Sequence, residues 1–117
     1  MPRVSIKADT LDEENRHFAQ ISPEKPVFLN SVPKSGSHLL RNIIRMFVPV
    51  EQQYKTQFIQ HAILEDHVDA FEASKKQLSW GHLLFSDAAA VETSTANVII
   101  LVRDPYDWVI ARTRFFL

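Results

Sequence analysis

The sequence predicts an α/β domain, a parallel sheet flanked by helices, and three observations carry that prediction. Apolar runs of strand length alternate with stretches of helical periodicity, the pattern of strand–helix–strand–helix folds with right-handed crossovers. The run Ala96–Val102 (A-N-V-I-I-L-V) reads as a strand buried on both faces of such a sheet. The segment Pro26–Phe47 passes from an apolar strand through a short loop directly into a helix.

Taken in order, residues 1–26 form a polar N-terminal arm, with Asp9, Asp12, Glu13 and Glu14 preceding a short amphipathic segment. Residues 27–117 form the domain. Val27, Phe28, Leu29 and Val32 suit a buried strand. After the Pro-Lys-Ser-Gly-Ser loop, Leu39, Leu40, Ile43, Ile44, Phe47 and Val48 recur at helical spacing, and Arg41, Asn42 and Arg45 fall opposite. Pro49 ends that helix. Phe58, Ile59, Ala62, Ile63, Ala70 and Phe71 predict one or two helices between residues 53 and 76. Gln77–Trp80 is a short strand, and Ala96–Val102 a long one. Asp104 then offers an N-cap, Pro105 suits the first helical position, and Asp107 lies in the first turn.

Composition excludes several classes. The 117 residues suffice for one domain with a core, and 45% hydrophobic with 23% charged is ordinary globular usage. A net charge of −1 removes the electrostatic case for nucleic-acid binding. With no cysteine there is neither a disulfide framework nor a thiolate metal site, and no His/Asp/Glu set has metal-ligand spacing. No apolar leader opens the chain and no run reaches the ~20 residues of a membrane span, which leads to an expectation of a cytoplasmic protein. His61 and His67 are expected on the solvated faces of the middle helices.

The chemistry concentrates at the first loop. A strand, a tight loop and a helix N-terminus present outward N–H groups and a positive dipole end, and Lys34 adds a full charge. Phosphate or sulfate is the natural guest. The order differs from the nucleotide-triphosphate loop G-x-x-x-x-G-K-[ST], because Lys34 precedes the only loop glycine, Gly36. The chain's other glycine, Gly81, also sits beside candidate chemistry, in Trp80–Leu83 (W-G-H-L).

These motifs together resemble the sulfotransferase family. P-K-S-G-S resembles its 5′-phosphosulfate loop, usually Y-P-K-S-G-T-T-W or P-K-x-G-T-x-x-L. Val98–Leu117, with R-D-P-Y-D, resembles its 3′-phosphate strand and helix, and W-G-H-L resembles the stretch bearing its catalytic histidine. They occur in the family's order over residues 27–117. The resemblance implies a P-loop-like sulfotransferase fold and metal-independent transfer of sulfate from 3′-phosphoadenosine 5′-phosphosulfate to a hydroxyl or amine acceptor, whether small molecule, sugar or lipid.

It also implies roles. Lys34 would bind the 5′-phosphate and stabilise charge on the departing nucleotide. Ser35, Gly36, Ser37 and His38 would line the same phosphate with N–H groups and hydroxyls. His82 would take the acceptor's proton, as an imidazole does near neutrality. Arg103, at the carboxyl end of the last strand, would grip the 3′-phosphate with its fork of donors. The chain departs from the family at Leu39, in place of the tryptophan that stacks on adenine, and at Ala111, in place of a serine. Trp108, Phe115 and Phe116 are expected in a core or interface.

Family members are longer, and the final Phe-Phe-Leu lacks a helix cap, which reads as the N-terminal, cofactor-binding portion of a sulfotransferase. Such a portion is expected to turn over weakly and to self-associate through its apolar C-terminal helix. Another P-loop transferase, such as a kinase, and a non-enzymatic nucleotide-binding or interaction module are the alternatives.

Overall fold

The computed structural model describes residues 10–33, 35–54, 59–83 and 87–116. Within them the elements run α1 (Leu11–Glu14), β1 (Val27–Ser31), α2 (Ser37–Arg45), β2 (Ile59–Gln60), β3 (Leu78–His82), α3 (Asp87–Glu92), β4 (Asn97–Leu101) and α4 (Pro105–Phe116), with 3₁₀ turns between. The four strands form one sheet in the order β2-β3-β1-β4, and every pairing is parallel. The α/β class expected from alternation is the class observed.

β1 lies between β3 and β4, and its alternation builds both faces of the sheet. Phe28, fully buried, joins Tyr54, Ile59, Leu64, Phe71 and Leu83 on one face. Leu29 joins Val48, Leu78 and Trp80 on the other, where Leu40 and Ile44 of α2 cover it. Phe28 and Phe71 meet edge to face with centroids 5.2 Å apart, a favoured aromatic geometry.

Register decides what the carboxyl ends bring together. Asn30 stands level with Gly81 of β3 and Ile100 of β4. One residue further, Ser31, His82 and Leu101 therefore finish their strands side by side.

Gly81 has a structural reason for its identity. A Cβ there would stand 2.1 Å from the carbonyl oxygen of Ile59, so β2 can pair with β3 only across a glycine. Its tie is to a neighbouring backbone, where the sequence had associated it with chemistry.

Among the described residues between 53 and 76 the expected helices appear only as 3₁₀ helix, with no α-helix. Ile59–Gln60 pairs with β3 as a strand, and His61–Phe71 winds as 3₁₀ turns broken at Ile63 and His67. Leu64 and Phe71 are buried from this stretch while Val68 stays exposed, so its apolar side chains reach the core without a continuous α-helix. His67 is half-buried rather than solvated, with Nδ1 2.7 Å from the Tyr54 hydroxyl. His61 begins this stretch.

Two buried surfaces are also narrower than the sequence suggests. In β4 the four residues Asn97–Ile100 are exposed, and among the described residues β4 is an edge strand paired with β1 alone. α2 ends at Arg45 and half-buries Leu40 and Ile44, whereas Leu39, Ile43 and Phe47 stay substantially exposed. Their apolar stripe is wider than the sheet beneath it.

The described part of the N-terminal arm, from residue 10 onward, is docked. Asn15 is only 2% exposed and donates through Nδ2 to the carbonyls of Arg45 and Val48, each at 2.6 Å. Gln53 donates to the same two oxygens, so two side chains satisfy carbonyls that the end of α2 leaves unpaired. Among the described residues no helix is long and apolar enough to cross a membrane.

Candidate functional site

The loop after β1 is shaped by its own backbone. Gly36 is the N-cap of α2 with φ of +98°, a left-handed conformation that favours glycine. Among the described residues nothing beyond its chain neighbours lies within 4 Å of where its Cβ would stand, leaving open space above the helix start. The Ser35 hydroxyl donates to the carbonyl of Val32 at 2.5 Å, which turns the loop back on β1. Lys34 lies outside the described residues.

Gly36, Ser37, His38, Arg103 and His82 line one cleft of about 370 Å³, together with Ala111. Of the described cofactor candidates, Gly36, Ser37, His38 and Arg103 thus come together at the carboxyl ends of the strands, where open α/β sheets hold ligands, and Ser35 does not line this cleft. Arg103 is exposed two residues beyond β4. The side chain of Asp104 caps α4 by accepting from the N–H groups of Tyr106 and Asp107 at 3.0 and 3.3 Å, as its position predicted. Ala111 brings no hydroxyl to this cleft, and Leu39 lies at its rim, 68% exposed.

His82 is the last residue of β3 and half-buried. Its Nδ1 lies 2.7 Å from the carbonyl oxygen of Ser31. A carbonyl only accepts, so this contact assigns a proton to Nδ1, and in the neutral imidazole the lone pair is then on Nε2, the arrangement a general base needs. The Ser31 hydroxyl is 3.2 Å from the same nitrogen and 2.6 Å from the hydroxyl of Ser37. Asn30 fixes the chain beyond the histidine by accepting from the Leu83 N–H at 3.0 Å.

His82 also lines a second cleft, of about 320 Å³, walled by Val32, Leu83, Ile100 and Trp108 with Arg112 at its edge. The imidazole therefore lines both clefts. Trp108 donates from its indole to the carbonyl of Pro33 at 2.5 Å, tying α4 to the loop. The sequence marked Trp108 only as core or interface, and it missed Ser31 and Asn30. The signal was a pair of small polar residues closing an otherwise apolar strand. Comparison with protein-family models, with curated proteins and with solved structures returned no match to this chain.

Proposed function

We propose that the chain is a sulfotransferase-like, cofactor-binding domain that transfers sulfate from 3′-phosphoadenosine 5′-phosphosulfate to a hydroxyl or amine acceptor. The observation that carries this reading is the single cleft shared by the start of α2, Arg103 and His82. Its residues suit an anionic ligand. Open space above a left-handed Gly36 lets an oxyanion approach the backbone, and Ser37 and Arg103 supply donors.

The cofactor, when bound, supplies the activated sulfuryl group. The 5′-phosphate would rest on Gly36, Ser37 and Lys34, and the 3′-phosphate on Arg103. Lys34 would steady the negative charge that grows on the phosphate oxygen as the sulfur–oxygen bond breaks. His82, with Nε2 unprotonated, would receive the acceptor's proton as the new bond forms. An acceptor in the second cleft would reach His82, which lines both clefts. Alignment and charge placement supply most of the catalysis in such transfers.

Calorimetric titration with adenosine 3′,5′-bisphosphate tests the reading, with AMP for comparison. The bisphosphate should bind more tightly than AMP, and Lys34→Ala should weaken it about tenfold or more, in line with loss of a charge-assisted contact. Equal affinity for both nucleotides, or indifference to Lys34→Ala, overturns it.

A second reading, an interaction module, rests on a separate observation. Tyr106, Val109 and Ile110 of α4 are all at least half exposed beside the exposed β4. On that reading two copies associate through α4, and sedimentation at rising concentration detects it.

A further inference from the structure

From the contacts around β1 we infer that Ser31 is the positioning residue of this site, linking the state of the anion cleft to His82. The inference rests on the anion-binding reading above.

Ser31 is 3% exposed and Ser37 5%, so water competes poorly for either hydroxyl. The Ser31 carbonyl takes the Nδ1 proton of His82 at 2.7 Å. The Ser31 hydroxyl, 3.2 Å from that protonated nitrogen, can only accept there. Its own proton has two destinations: Ser37 Oγ at 2.6 Å and the Gly81 carbonyl at 3.5 Å. The shorter is much the stronger bond. Ser31 therefore donates to Ser37.

That choice fixes the next one. With its oxygen accepting from Ser31, Ser37 turns its proton away from Ser31, toward the cleft that Ser37 lines with Gly36 and Arg103. The donors run one way: the imidazole N–H bonds chiefly to the Ser31 carbonyl with the Ser31 hydroxyl, 3.2 Å away, as a weaker second acceptor, Ser31 donates to Ser37, and Ser37 to an anion. An oxyanion accepting from Ser37 completes it, and each bond in such a series polarises the next. Occupancy of the anion cleft is thus transmitted to the histidine that faces the acceptor, and Nε2 stays the basic nitrogen throughout.

The test is nuclear magnetic resonance on the full chain with ¹⁵N-labelled histidine. Without ligand, the His82 ring should carry its proton on Nδ1. The opposite tautomer overturns the positioning role, and this readout needs no variant, so it decides the matter even if a variant fails to fold. Inorganic sulfate and adenosine 3′,5′-bisphosphate are then titrated in turn. The Gly36 and Ser37 amides and the His82 ring should shift together and saturate together.

In Ser31→Ala the amides should still titrate, while the His82 response falls about threefold or more, and Ser31→Thr should restore it, because cooperative transmission needs the hydroxyl. An undiminished response in Ser31→Ala overturns the coupling, since the anion would then act directly through space. Amides that ignore both anions overturn the anion reading and the coupling with it, and the tautomer still decides whether Ser31 positions His82.

Discussion

The two glycines have different needs, and substitution separates them. At Gly36 the backbone is left-handed and the space around a Cβ is open, so Gly36→Ala meets conformational strain alone. It should cost about 1–2 kcal/mol, and Gly36→Asn less, because asparagine tolerates that conformation. At Gly81 the obstacle is the Ile59 carbonyl, which is backbone and cannot rotate away. Gly81→Ala should cost about 2–3 kcal/mol or more as β2 is pushed from β3. Urea unfolding midpoints measure both. A smaller loss at Gly81 than at Gly36 contradicts the packing assigned to β2.

The elements are held as much by side chains as by their own ladders. α2 has no glycine to terminate it, and its last carbonyls instead receive the amides of Asn15 and Gln53. Asn15 is fixed in turn, since Gln20 donates to its side-chain oxygen and to its carbonyl. Asn15→Ala removes three side-chain hydrogen bonds, one buried and two partly buried, and should destabilise the chain by about 1–3 kcal/mol. Thermal unfolding reads it, and a loss within ~0.5 kcal/mol, the range of ordinary surface substitutions, means the arm contributes nothing to the fold. Arg45 joins this corner through Asp12 at 2.8 Å, but that pair is partly solvated and adds little.

For the whole molecule, the main tension lies along β4 and α4. Val102 is 62% exposed and Val109 54%, beside an edge strand without a charged residue. Natural edges are usually blunted by lysine or proline. Val102→Lys with Val109→Lys should abolish concentration-dependent association while changing stability within ~0.5 kcal/mol. Sedimentation equilibrium gives the answer, and a wild-type chain that remains a 13.5 kDa monomer as concentration rises removes the interaction reading.

Local chemistry made part of this molecule legible before any coordinates. β1, α2, β4 and α4 were each readable because apolar spacing, Asp104 and Pro105 are signals carried by neighbours in the chain. Gly36, Ser37, His38, His82 and Arg103 were readable as candidates from residue type and motif. The segment between residues 53 and 76 was read as helical because Ile59, Ala62 and Ile63 keep helical spacing, a local pattern that does not distinguish an α-helix from 3₁₀ turns beside a short strand. The exposure of β4 was hidden for a different reason, since an apolar run suits burial but does not encode what lies over its faces.

The sequence by itself determined the α/β class, the strand–loop–helix at Lys34–Ser37 and the start of α4, all set by contacts within a few residues. Only the tertiary structure decided that Ser31, Ser37 and His82 share one hydrogen-bonded chain across β1 and β3. It also decided that Arg103 faces the same cleft and that Gly81 answers to Ile59. The physical reason is register. Parallel pairing aligns strands distant in sequence, and their side chains meet only when the backbone hydrogen bonds between them have formed.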